Sequence, residues 1–411
     1  MLEATFYNPE FWKHLSIPFV AGFIGWITNW VAIKLTFKPL EFVGVRPFLG
    51  WQGIIPSKAT KMAEIFVDKT MYRLGTLDEL FRSMEPGKIA EHITKVMDRR
   101  LDAYTNEVLF YGHPRVWGVL PQTLKEGVYA RVREEMPQLV EALVVDVTES
   151  IESLIDFKQM LVTRLEADKQ LLNRLFLEAG SEEFRFIVRS GLYFGFLFGL
   201  IQLGVWTFYK EWWVLPFFGI VVGYATNWLA INMIFRPLRP IRLGPWTLQG
   251  LFLRRQSEVA GVWCGLVTTE IVTLQHIMYE MLHGSRSERA QEMIKGHIRP
   301  VADLVMESYG PASRVVVGDE TLEEIRESVG EKAVAVSTDP FDHWPFNRER
   351  ALHAEKLLRE RMEGLPPAEF QDLLRPCFQE DELKLILTGA VLGFLAGLAQ
   401  LVFVFGGFGN G

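Results

Sequence analysis

The sequence predicts a mainly α-helical integral membrane protein. Four transmembrane helices come from two parallel repeats, and two soluble helical domains hang on one side. Three observations predict it. First, Gly25 to Leu40 (G-W-I-T-N-W-V-A-I-K-L-T-F-K-P-L) and Gly223 to Leu238 (G-Y-A-T-N-W-L-A-I-N-M-I-F-R-P-L) are identical at 9 of 16 positions, at an offset of 198. Second, Gly191 to Leu203 matches Gly389 to Leu401 at 8 of 13 positions, at the same offset. A period of this length reads as a tandem duplication. Third, four stretches are long and uncharged enough to cross a hydrocarbon core of about 30 Å as helices: Leu15 to Phe37 (no charge until Lys34), Gly191 to Tyr209, Trp212 to Phe235 and Leu385 to Phe405.

The bulk composition agrees. Hydrophobic residues make up 49% of the 411 residues and mean hydropathy is +0.12. Such middling averages arise when apolar spans alternate with ordinary soluble stretches, and the length allows two or three domains. Phe11, Trp12, Trp206 to Tyr209, Trp212 and Trp213 suit an aromatic belt at span ends. The first span follows an acidic, aromatic start with no basic segment and no small-residue cleavage site, so it reads as retained and not as a signal peptide. Cys264 and Cys377 indicate no disulfide framework.

Sidedness follows from Lys and Arg near the span ends. Lys34, Lys38, Arg46, Lys58, Arg185, Arg189, Arg236, Arg239, Arg242, Arg254, Arg255 and Lys384 lie on the side of the soluble stretches, against Lys13 and Lys210 on the other. The soluble stretches are therefore expected in the cytoplasm and the termini outside, in a cell (inner) membrane. Each unit has an even number of spans, so the repeats are parallel, related by an axis along the membrane normal.

The elements follow in order. Residues 1–56 form the first transmembrane helix and an interfacial hook; 57–185 a soluble helical domain; 186–236 a transmembrane hairpin turning at Tyr209-Lys210-Glu211; 237–256 a second hook; 257–383 a second soluble helical domain; and 384–411 the last transmembrane helix. Pro39 and Pro237 should end their helices. The hooks beyond them are apolar, aromatic and broken by Pro and Gly. They are expected to be irregular, with Phe48, Trp51, Ile54, Trp246, Leu251 and Phe252 dipping into the headgroup region and Arg46, Lys58, Arg242 and Arg254 near lipid phosphates. In the soluble stretches, Thr76 to Glu79 is a capping-box pattern. Glu126 to Ile155, Leu322 to Val329 and Arg350 to Leu365 have helical spacing. Val336 to Asn347 is a Pro- and aromatic-rich break.

Candidate chemistry is sparse. Thr28, Asn29, Thr226, Asn227, Gln202 and Gln400 lie inside spans, where they either tie helices together or line a polar path. No Asp or Glu lies well inside a span, against a proton-coupled pump. Gly25, Gly191, Gly195, Gly199, Gly223, Gly389, Gly393 and Gly397 form close-packing faces. His276, Glu280 and His283, and Asp339, Asp342 and His343, read as a solvated helix face and as turn residues in preference to metal ligands. No Walker loop, zinc-protease motif, nucleophile elbow or dinucleotide fingerprint occurs. The net charge of −7 suggests no general nucleic-acid binder. No catalytic residue, metal or cofactor is expected.

At these residues the chain resembles the YheB/YjiN-type bacterial membrane proteins, a family built on a domain of unknown function. The resemblance rests on G-x-x-T-N-x-x-A-I-x-x-x-F-[KR]-P-L, on the Q-G-x-I-P-x-K hook (Gln52, Gly53, Ile55, Pro56, Lys58), and on the closing run from Phe184 to Gln202. It frames the whole chain, here as a tandem two-copy version. The second hook departs, with L-F-L-R-R where the first has I-I-P-S-K. If that proline shapes the hook, the second hook should differ. The resemblance implies a bacterial cytoplasmic membrane and supplies no activity, substrate or catalytic residue.

The function expected is non-enzymatic: membrane or envelope organisation, or lipid handling. The alternative is a transporter or channel lined by Asn29, Asn227, Gln202 and Gln400. Expected partners are membrane lipids, with a cytoplasmic protein and self-association as further candidates, and no nucleic acid.

Overall fold

A computed structural model of the chain describes residues 9–45, 49–108, 117–118, 121–244, 246–307 and 319–407. Nine helices of 18 or more residues occur among them: α1 Pro9–Phe37, α2 Pro86–Asn106, α3 Gln122–Leu154, α4 Ser181–Phe208, α5 Val214–Phe235, α6 Ser287–Glu307, α7 Asp319–Val336, α8 Trp344–Glu363 and α9 Pro367–Phe405. Among the described residues, four helices are long and apolar enough to cross a membrane, Phe11–Phe37, Ser181–Phe208, Val214–Phe235 and Ile386–Phe405, and the pair Gln256–Ile271 and Leu274–His283, bent by 43°, passes the same test only when taken as one span. The protein is a mainly α-helical integral membrane protein.

The chain divides into two compact units. The first comprises 1–73, 165–263 and 361–411; the second comprises 74–164 and 264–360. The sequence reading separates 57–185 and 257–383 into two domains, whereas the structure gathers the middle of both into one unit. The reason is packing. α3 is 33 residues long and buries Val128, Val140, Val144, Val147 and Ile151, so it meets α2 from its own half and α6 from the other.

In the first unit, α1 packs along α4 and α5 along α9. Glycine permits this. A Cβ at Gly25 would fall less than 3.0 Å from the Gly191 carbonyl, and one at Gly195 would do the same at the Ala21 carbonyl. The counterparts 198 residues on behave alike, Gly223 against Gly389 and Gly393 against Gly219. Large apolar side chains face outward instead, among them Phe19, Phe23, Tyr193, Leu197, Val391 and Phe403. Small inside and large outside is the pattern of helices that associate in lipid, where close backbone packing and not hydrophobicity holds them together. Exposed Trp12 and Trp30 lie 18 residues apart on α1, or roughly 27 Å at 1.5 Å per residue, which matches a hydrocarbon core.

α1 ends at Phe37 and α5 at Phe235, two residues before Pro39 and Pro237, because the residue before a proline is pushed out of helical geometry. The Phe37 carbonyl, orphaned at the helix end, accepts a 2.7 Å hydrogen bond from buried Asn173 Nδ2. Each hook is a two-stranded antiparallel hairpin followed by one helical turn. The first pairs Val43–Val45 (β1) with Leu49–Trp51 (β2); the second pairs Ile241–Leu243 (β3) with Trp246–Leu248 (β4). Residues 46–48, and with them Arg46 and Phe48, lie outside the described residues.

The second hook forms without the proline. Pro56 sits buried in the helical turn Ile54–Ser57, not in the hairpin. What closes each loop is a backbone bond, Gly53 N–H to the Pro39 carbonyl (2.9 Å) and Gly250 N–H to the Pro237 carbonyl (3.1 Å). Both positions need glycine, since a Cβ at Gly53 would sit 2.8 Å from the Phe37 carbonyl carbon and one at Gly250 2.9 Å from that of Phe235.

In the second unit, Thr76 forms the capping box, accepting from Glu79 N (3.2 Å) while its own N–H donates to Glu79 Oε2 (3.0 Å). Ala90, Val140 and Val144 form one core cluster; Trp117, Val128 and Ile325 form another. Between α2, α3, α6 and α7 lies an apolar cavity of about 230 Å³.

Two histidines of this unit are shifted toward the neutral form. Burial pushes the His92 imidazole below its ordinary value of 6.5, helped by His343 and by Lys95 and Arg99. His92 stacks on Phe346 at 3.8 Å. Burial likewise lowers His276, helped by Arg164. The unfolded chain takes up these protons more readily, so their stabilisation is full above pH about 6.5 and is lost as pH falls below it. The urea midpoint of the full chain should therefore drop between pH 7.5 and 5.5, and the drop should shrink in a His92→Gln, His276→Gln double variant. An identical drop in that variant would assign it to other groups.

Candidate functional site

The amides within the apolar spans are buried. Asn29 is fully buried and its Nδ2 donates to the Ile187 carbonyl at 2.7 Å. Gly191 lies so close that a Cβ there would meet Asn29 Nδ2 at 2.7 Å. Asn227, also buried and partnered, lies against Gly389 in the same way. Thr28 and Thr226 turn back onto their own helices, donating to the Gly25 carbonyl (3.2 Å) and the Val222 carbonyl (2.7 Å). Gln202 and Gln400 are buried, but Gln202 stands 15 residues beyond Ile187 on α4, roughly 22 Å away along the helix. The structure thus does not bring the amides of one helix pair together. Asn29 Oδ1 and Gln400 Nε2 have no hydrogen-bond partner among the described residues.

The hairpins present a different surface. Val43 and Val45 are 64% and 71% exposed, Ile241 49% and Leu248 46%. Apolar side chains this open at a span end need a cover other than water. Cations stand beside them: Lys38, Arg236, Arg239 and Arg242 are all exposed. Arg242 sits mid-strand opposite Thr247. Next to the second hairpin runs a shallow groove of about 520 Å³, walled by Met233, Leu238, Ile241 and Leu248 and flanked by Arg236 and Arg375. A groove with apolar walls and guanidinium edges suits a phosphate with the start of its acyl chains.

The expected residues fall on both sides of this surface. Arg254, at the end of the turn Leu251–Arg254, is exposed. Lys58 is half-buried between the turn and the helix Ala59–Phe66. Ile54 and Phe252, expected to dip into lipid, are instead core residues, each 4% exposed; Phe252 stacks on Phe370 at 4.9 Å. The helical turn faces them inward, a detail an irregular-hook reading lacks. Leu251 is half-buried, and the Trp246 side chain lies outside the described residues. Trp51 is 38% exposed and donates Nε1–H to the Leu35 carbonyl. The sequence reasoning missed Val43, Val45, Ile241 and Leu248, although strict alternation in V-G-V and I-R-L was the available signal.

It also missed a buried ion pair. Glu183, 3% exposed, accepts two hydrogen bonds of 2.8 Å from Arg255 Nη1. Arg255 is held on its other side by Glu258 at 2.6 Å. The Glu258 hydrogen bond, with the Glu183 bond and charge, raises the guanidinium above its ordinary value.

No group of three His, Cys, Asp or Glu side chains able to hold a metal comes together among the described residues. His276 Nδ1 lies 3.1 Å from the Ile271 carbonyl, and His283 stacks on Tyr279 at 4.5 Å. Asp339 pairs with Arg100 at 2.9 Å and accepts from Tyr104, and Asp342 accepts from Gln275.

Stretches of the chain are similar to bacterial proteins described as UPF0754 membrane proteins. One from Shouchella clausii is 42% identical over 65 residues, covering 15% of this chain and 17% of that protein. One from a Cyanothece strain is 32% identical over 95 residues, 22% of this chain and 23% of that protein. One from Bacillus cytotoxicus is 27% identical over 205 residues, 46% of this chain and 51% of that protein. The chain thus spans about half the length of these relatives or less. No family model and no solved structure matches it. The matches support an uncharacterised family of bacterial membrane proteins.

Proposed function

We propose that the chain is a multi-pass protein of the bacterial cytoplasmic membrane, a tandem two-copy relative of the YheB/YjiN type, that organises the membrane by holding anionic lipid at its hairpins. The observation that carries this reading is the groove between β3, β4 and the ends of α5 and α9, where Arg236 and Arg375 flank Met233, Leu238, Ile241 and Leu248. Exposed apolar residues bind the interface by area, and nearby cations add about 1 kcal/mol each toward an anionic surface. Lys and Arg asymmetry supports a cytoplasmic position for the helical unit.

The transporter or channel reading has less support. Its lining would be Asn29, Asn227, Gln202 and Gln400, and at Asn29 the backbones of α1 and α4 approach too closely to leave a path.

The test is native mass spectrometry of the full chain extracted gently from its membrane. Phosphatidylglycerol or cardiolipin should co-purify, and retention should fall severalfold in Arg236→Glu, Arg242→Glu, with melting unchanged. Equal retention would overturn the headgroup reading. Loss of retention together with loss of fold would be resolved by Arg236→Gln, which removes charge without reversing it.

A further inference from the structure

We infer that the cavity between α2, α3, α6 and α7 is a binding site for a single-chain fatty acid, with the carboxylate at Lys332. This goes beyond the headgroup reading, because the cavity lies in the other compact unit and shares no residue with the hairpins.

Three observations carry it. The first is the lining, built from side chains such as Ile93, Leu101, Val132, Leu139, Val144 and Ile298; only Tyr104, Thr105, Lys332 and Ser337 bring a polar group. Such a lining offers water few polar partners. The second is the size. At about 230 Å³ it falls below the usual 300–1,000 Å³ of pockets for bulky ligands, and suits one alkyl chain in preference to a two-chain lipid.

The third is the placement of Lys332. Lys332 Nζ stands 5.3 Å from the Tyr104 ring centroid, and the Tyr104 hydroxyl reaches Asp339, two residues past Ser337. Thr105 is the next residue on α2. Lys332 and Tyr104 are therefore neighbours, the Tyr104 hydroxyl is committed to Asp339 and Arg100, and apart from Thr105 and Ser337 the rest of the lining is hydrocarbon. Lys332 pairs with Glu107 at 2.6 Å. An ammonium has three donors, so it can hold Glu107 and a ligand carboxylate together. An apolar body with an ammonium in its wall is the complement of a fatty acid.

The experiment uses the full chain in phosphatidylcholine nanodiscs with a diazirine-bearing palmitate, and mass spectrometry of the labelled peptides. Label is expected on Leu101–Tyr104, Val132–Leu143 and Val329–Ala333, chased by excess palmitate. Ala333→Phe should fill the space, abolishing that label without lowering the melting midpoint. If Ala333→Phe fails to fold, the chase on the unaltered protein decides. Lys332→Met should weaken palmitate severalfold and leave hexadecanol unchanged. Label confined to the spanning helices, or label that palmitate does not chase, overturns the site. Equal labelling by phosphatidylcholine carrying the same diazirine chain overturns the single-chain ligand. Equal loss of palmitate and hexadecanol in Lys332→Met overturns the placement of the head. None of these results touches the hairpin reading, whose lipid retention is measured at Arg236 and Arg242.

Discussion

Gly191→Leu is expected to separate α1 from α4 and to destabilise the membrane unit by about 3 kcal/mol or more, the upper end for overpacking, because the obstacle is backbone and cannot rotate away. A Cβ at Gly191 would collide with the Gly25 carbonyl and with Asn29 Nδ2, so the change also breaks the Asn29 bond to the Ile187 carbonyl. The measurement is SDS-titrated unfolding of the full chain in mixed micelles, with Gly204→Leu as control. Gly204 lies on the same helix, and a Cβ there meets nothing within 4 Å, so its variant should stay within about 0.5 kcal/mol. Gly389→Leu should repeat the loss in the second pair. Equal midpoints for Gly191→Leu and Gly204→Leu would mean that α1 and α4 do not cross there.

Glu183→Ala should lower stability by about 3 kcal/mol. Breaking a buried ion pair costs roughly 3–5 kcal/mol, because one charge is left uncompensated. The lower end applies here, since the remaining Arg255 keeps Glu258 and about a fifth of its side chain in water. Glu183→Leu with Arg255→Leu should recover most of the loss, because replacing both partners by apolar groups removes the desolvation along with the attraction. The same SDS titration reads both variants. A double variant as unstable as Glu183→Ala would show that packing around Glu183, and not the charge, holds this region.

These two cases differ in how far the sequence reveals them. The glycine faces are legible, because helix geometry alone puts Gly191, Gly195 and Gly199 on one stripe and the same spacing recurs 198 residues later. Glu183 and Arg255 are 72 positions apart, and no local pattern links them. The sequence also undervalues the hooks. Their prolines and glycines read as irregularity, yet Gly53 and Gly250 are the positions where the chain must pass against the end of a helix, and a hairpin results.

The sequence by itself determined the four apolar spans, their ends at Pro39 and Pro237, the glycine stripes and the capping box at Thr76. Each depends on residues within one or two helical turns, so local sterics and transfer to hydrocarbon suffice. Only the tertiary structure decided that 74–164 and 264–360 form one unit, that Ile54 and Phe252 turn into the core while Val43, Val45, Ile241 and Leu248 turn out, and that four helices leave a cavity with Lys332 in its wall. Amphipathic helices state which face is to be buried but not against which partner. That choice is made by shape complementarity between segments distant in the chain, where apolar surfaces of similar composition compete and packing selects among them.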